Sequence, residues 1–191
     1  MKATRNSILS TMHVDIVRVR ERARDFGFRH ANIAELSEGV KLAERLLGSD
    51  IATPEAVMRM DVVTGMTAWV TGDPVDGIFF VIPLSQDGER AVRDGTYNPA
   101  DPAPAHLAWQ GRDVAGVYIG VYAGATKEAR RAVMTAAAVM RVEMFAQVPS
   151  FARGATDDGK RSMASLGFSP LEGGLPDLWV QEALTSGSEA A

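Results

Sequence analysis

Residues Gly77–Leu84 read GIFFVIPL, a nearly continuous apolar run with no charged position. An amphipathic helix, or a strand with one wet face, would break such a run with polar residues. The segment therefore predicts a strand covered on both faces. A strand of that kind needs neighbours in a sheet and helices above and below it, and the rest of the chain offers both.

Upstream, Asn32 stands three residues before Glu35, the spacing of a helix capping box. Ile33, Leu36, Val40, Ala43 and Leu47 follow with helical spacing up to Gly48. Thr53-Pro54 opens a second, shorter helix, with proline in its first turn. Met66–Val70 reads as a strand that turns at Gly72-Asp73-Pro74. Downstream, Asn98-Pro99, Asp101-Pro102 and Pro104 predict that residues 85–112 form one long loop. Val114–Val121 is a third strand, and Lys127–Gln147 a long alanine-rich helix with Val133, Ala137, Met140 and Met144 on one face. A short strand at 148–152, a helix at 157–166 closed by Gly167, and a last strand at 178–180 complete the series. The order predicts an α/β (α+β) domain built on a mixed sheet flanked by helices. Residues 1–27 read as an N-terminal extension, 28–182 as the domain and 183–191 as a flexible tail.

Composition narrows the chemistry. The 191 residues include no cysteine, which removes disulfides, thiolate metal sites and cysteine nucleophiles. The three histidines, His13, His30 and His106, are far apart, and no metal-ligand spacing occurs, so no metal is expected. A net charge of −4 gives no global attraction for nucleic acid. No stretch approaches the roughly 20 apolar residues of a membrane span. The start, MKATRNSILSTMHV, lacks the apolar core of a signal peptide, and a cytoplasmic location is expected. Arg18, Arg20, Arg22 and Arg24 are interleaved with Glu21 and Asp25 and read as a solvated face.

The strand–turn–helix at 114–147 carries the strongest chemical signal. Ala123, Gly124 and Ala125 are small, Thr126 can cap the helix, and Lys127, Arg130 and Arg131 put three cations in its first two turns. Cations there oppose the helix dipole, a penalty that a bound phosphate reverses. Glu128 offsets the charge without any ligand, so both a solvated helix end and an anion site fit the residues.

These elements resemble those of the GNAT fold, the GCN5-related N-acetyltransferases. Arg29-His30-Ala31 with Glu35-Leu36 resembles the family's first strand and helix. Lys160–Phe168, KRSMASLGF, resembles its late helix, and Leu178-Trp179-Val180 its final strand. The resemblance implies a mostly antiparallel central sheet and an acyl-coenzyme A donor, acetyl-coenzyme A or another, lying between the two middle strands. It implies a pyrophosphate site built from Gly124, Ala125, Thr126, Lys127, Ala129, Arg130 and Arg131. Backbone N–H groups near Ile119 to Val121 would face the thioester. Thr126, Ala129 and Arg131 stand where the family has Arg or Gln, Gly, and Gly or Ala. Met163 stands where many members have a proton-donating tyrosine, so Tyr118 and Tyr122 become candidate acids. His106 is the candidate base, with Asp113 and Glu89 behind it, and Trp109 a candidate wall of the acceptor pocket. The implied activity is N-acyl transfer to a small-molecule or peptide amine. The alternatives are a non-catalytic coenzyme A-binding sensor and a homodimeric interaction module.

Overall fold

In a computed structural model of the chain, which describes residues 11–48, 51–154 and 156–184, the run Gly77–Leu84 is a strand buried at every position. It is β3 in the order α1 (Ile16–Asp25), β1 (Arg29–His30), α2 (Ile33–Leu47), α3 (Pro54–Thr64), β2 (Ala68–Thr71), β3, α4 (Gln86–Asp94), β4 (Gly116–Gly124), α5 (Lys127–Glu143), β5 (Ser150–Arg153), α6 (Asp157–Ser165), β6 (Ser169–Pro170) and β7 (Leu178–Gln181). Among the described residues these strands form one open sheet in the order β1-β2-β3-β4-β5-β7-β6. Every neighbouring pair is antiparallel except β4 and β5, which α5 joins as a crossover.

The alternation of side chains along β2 and β3 divides the core. Trp69, Phe79 and Val81 face α1 and α5, where they meet Val19, Ala23, Val133 and Met140. Val70, Ile78 and Phe80 face α2 and α3, against Leu36, Val40 and Val57. Burial on both faces is what made β3 legible as an unbroken apolar run. A third cluster, which includes Met60, Val92, Tyr97, Tyr118 and Phe151, lies where α3 and α4 cover β4 and β5.

Two expectations meet a different structure. Residues 85–112 are not one loop: α4 occupies Gln86–Asp94, and a short 3-10 turn spans Pro104–His106. The prolines all lie beyond α4. Ser85 caps it by accepting the Gly88 N–H, and Gly95 ends it at φ +80°. The helix escaped the sequence because its inward face is small and charged (Gly88, Glu89, Ala91, Val92), not an apolar stripe. Residues 16–25 form α1, whose Val19 and Ala23 are fully buried, so the stretch expected as an extension supplies part of the core. Residues 1–10 and 185–191 lie outside the described residues, while the N–H of Leu184 donates to the Ala146 carbonyl.

The capping box of α2 forms as spaced. Asn32 Oδ1 accepts the Glu35 N–H and Glu35 accepts the Asn32 N–H. That backbone bond, then the Arg29 guanidinium at 2.6 Å, holds the Glu35 carboxyl below its ordinary range. A depressed folded pKa means stabilisation that is present above the ordinary carboxylate pKa and lost as pH falls through the lower folded value. Glu35→Ala is expected to lower stability at pH 7 by about 0.5–2 kcal/mol. Thermal melts of both proteins should converge as pH drops toward 3. A gap that persists at low pH would assign the loss to something other than the charge.

Candidate functional site

The middle of the sheet opens at one place. β4 pairs with β5 only over Val117–Ile119, opposite Ser150–Ala152, after which β4 runs on to Gly124 without it. At the same place the β3–β4 register slips. Phe80 pairs with Val121 and Val81 with Ile119, which leaves Gly120 as an extra residue with no partner on β3. Gly120 is exposed and Ile119 half-buried within a strand that is otherwise mostly covered. The parting of β4 from β5 and the bulge together expose backbone in the centre of the sheet.

The bulge also decides where the tyrosines go. Tyr118 and Tyr122 are four residues apart and would share a face of a regular strand. The extra residue at Gly120 places them on opposite faces. Tyr122 sits edge-on to Phe79, with ring centroids 6.2 Å apart, on the α5 side. Tyr118 pairs with Ile82 and packs on the α4 side. The two therefore cannot serve one reacting atom as interchangeable acids. Burial pushes the Tyr118 phenol up to about 12 and raises that of Tyr122 further, so each keeps its proton at neutral pH.

His106 does reach this region. Its ring lies 6.0 Å from that of Tyr97, which in turn lies 5.2 Å from that of Tyr118. The row His106–Tyr97–Tyr118 thus leads from the 3-10 turn to β4. The Tyr97 hydroxyl and His106 Nδ1 are buried and have no hydrogen-bond partner among the described residues. Burial, then the neighbouring Tyr118, raises the Tyr97 phenol. Nothing in the sequence around Tyr97 marks it, because only tertiary contact gives it neighbours. Of the other candidate bases, Asp113 is exposed, 3.4 Å from the Thr11 hydroxyl. Glu89 is fully buried, 2.5 Å from Arg93 through one oxygen, and its other oxygen has no partner among the described residues. Trp109 is largely exposed.

At the far end of β4 the turn into α5 is tight. Gly124 is buried so closely under α5 that a Cβ would stand 2.4 Å from the Arg130 nitrogen. The Ala125 N–H donates to the Asp76 carbonyl, Thr126 Oγ1 accepts the Ala129 N–H, and Arg130 reaches back to the Gly124 carbonyl. The Lys127 and Glu128 N–H groups remain open at the helix start, as helix geometry requires. The Ala129 side chain is buried toward Gly77, while the Lys127 and Arg131 side chains are exposed. Val121 turns its side chain into the α2 side, so only its backbone faces the opening. Met163 on α6 packs over Gly154, just past the end of β5, and Lys160 bridges to Asp177 at 3.0 Å.

Between α5 and the sheet lies an apolar cavity of about 180 Å³, lined by Val81 of β3, by β4, by Ser150 of β5, by α5, by the residues after α6 and by β7. Ile119 and Tyr122 are in its wall. Among the described residues no helix is long and apolar enough to cross a membrane. No protein-family model matches this chain, and no curated protein does either.

Proposed function

We propose that the protein is an N-acyltransferase of the GNAT kind, which takes its acyl group from acyl-coenzyme A. The observation that carries this reading is the coincidence at one point of β4: its pairing with the parallel β5 stops at Ile119, and its bulge falls on the next residue, Gly120. A linear donor entering beside β4 would meet exposed backbone there, at a site where N–H groups can stabilise a developing oxyanion.

Fit to the donor is partial but workable. The α5 start offers two open N–H groups and the dipole, and the Thr126 cap takes a third N–H out of use. Lys127, Arg130 and Arg131 supply the charge that the shortened N–H cradle lacks. The donor, when bound, contributes an activated thioester. The chain's own residues would do the rest. The bulge holds the carbonyl oxygen, Tyr118 retains a proton above neutral pH, and the row from His106 through Tyr97 leads from the surface to the opposite face of β4, where an amine would arrive. Alignment of the two reactants supplies much of the rate in such a site.

A thermal-shift titration with coenzyme A and acetyl-coenzyme A tests the reading. Ligand at 100 times its dissociation constant adds about 2.7 kcal/mol, which for a domain of this size raises Tm by roughly 5–10 °C. The shift should shrink in Lys127→Ala and Arg131→Ala. No shift at millimolar ligand would overturn the proposal. A second reading, coenzyme A binding without catalysis, is favoured by Met163 of α6, which packs beside Gly154 and cannot donate a proton. It predicts the same shift with no turnover of any amine.

A further inference from the structure

We infer that the donor of this site carries an acyl chain longer than acetyl, and that the chain lies in the apolar cavity under α5. The inference rests on the acyltransferase reading and names its donor class. Ile119 and Tyr122, on either side of the point where β4 leaves β5, are in the cavity wall, so one end of the cavity adjoins the place assigned to the thioester. Its depth is formed by Val81, Val117 and Phe145, each no more than 3% exposed. Its outer rim carries Met134, Val142 and Leu166, which are 39%, 60% and 44% exposed. The α6 helix contributes no buried residue, and from that side Leu166 and Phe168, just past its end, reach the wall.

Of the four polar side chains in the wall, Tyr122, Arg141, Ser150 and Gln181, the two longest are tied into the protein. Arg141 donates to the carbonyls of Phe145, Val148 and Glu182 and to Gln181 Oε1, and the Gln181 amide donates to the Leu166 carbonyl. The Arg141 donors are thus engaged with the protein's own oxygens, and the rest of the lining is mostly apolar, which suits an apolar occupant. A dry apolar cavity of about 150 Å³ takes a six-carbon ring. The volume here, about 180 Å³, suits a chain of roughly six carbons by the same measure. A second copy of the protein seated on the rim would cover Met134 and Val142 but would leave the deep wall of Val81 and Val117 unfilled.

The test is calorimetric titration of the full chain with free coenzyme A and with acetyl-, butyryl-, hexanoyl- and octanoyl-coenzyme A. Affinity should rise about fourfold per added methylene up to roughly six carbons and then level. Ala138→Trp places a large ring on the exposed side of the same wall and should collapse the hexanoyl-to-acetyl ratio toward one. Equal affinity for acetyl and hexanoyl donors, with coenzyme A itself bound, would overturn this inference and leave the acyltransferase reading standing. Failure to bind any coenzyme A species would overturn both. A flat series together with a dimer that Ala138→Trp dissociates would assign the cavity to a second copy.

Discussion

Arg93→Ala is expected to lower the free energy of unfolding by about 3–5 kcal/mol, because it strands a carboxylate in the core. Glu89 is fully buried against Gly116 and Phe151, and among the described residues its side chain's one partner is the Arg93 guanidinium at 2.5 Å. Arg93 also forks onto Glu182 through two bonds of 3.1 Å and lies over the Phe151 ring at 5.1 Å. The arginine thus ties α4 to β5 and to the strand end at Glu182. Coulomb attraction at such a site is worth having only while both partners are present, since desolvation of an unpaired charge costs several kcal/mol. The double variant Arg93→Ala/Glu89→Gln should therefore recover part of the loss, although it removes one more native group. Chemical denaturation of the single and double variants checks this. If the two substitutions add, the unpaired charge is not the cause, and the loss belongs to packing on Phe151.

Gly124→Ala is expected to cost about 1–3 kcal/mol of stability and to weaken coenzyme A binding by more than tenfold. The added Cβ would stand 2.4 Å from the Arg130 nitrogen and 2.7 Å from the Ala129 carbonyl carbon, both of them backbone atoms. No side-chain rotation relieves that overlap, so the first turn of α5 must lift away from β4. The Lys127 and Glu128 N–H groups and the Arg130 side chain would move with it. The measurement is a thermal melt with and without coenzyme A. A variant that melts like the parent and keeps its ligand shift would show that the α5 start does not depend on this contact.

Much of the architecture was legible because burial leaves a mark on the order of residues. GIFFVIPL announced β3, the Asn32–Glu35 spacing announced α2, and Thr53-Pro54 announced α3. Each is a local rule satisfied by a few neighbouring residues. The α4 helix was not legible, because its inward face reaches the core with a glycine and an ion pair. Gly88 lies so near the His106 backbone that a Cβ would stand 2.0 Å from its carbonyl oxygen. The proline-rich stretch beside α4 then set the expectation for the whole segment. The role of α1 was hidden for a similar reason, since Val19 and Ala23 are the only two buried positions in a helix of arginines.

The candidate site divides along the same line. Small residues and cations around Gly124 could be read directly, because a strand–turn–helix is contiguous in the chain. Tyr97 could not, since its importance lies in ring contacts with His106 and Tyr118, nine and 21 positions away. Tyr118 and Tyr122 looked equivalent by spacing, and one extra residue in the β3–β4 ladder separated them onto opposite faces. By itself, then, the sequence determined the kind of elements, the sign of charge at the α5 start and the absence of thiol chemistry. Those follow from residue type and short-range periodicity. The tertiary structure alone decided which residues face one another across the sheet, where β4 leaves β5, and that an apolar cavity remains there. Those depend on register and crossover, which are set by contacts between residues far apart in the chain.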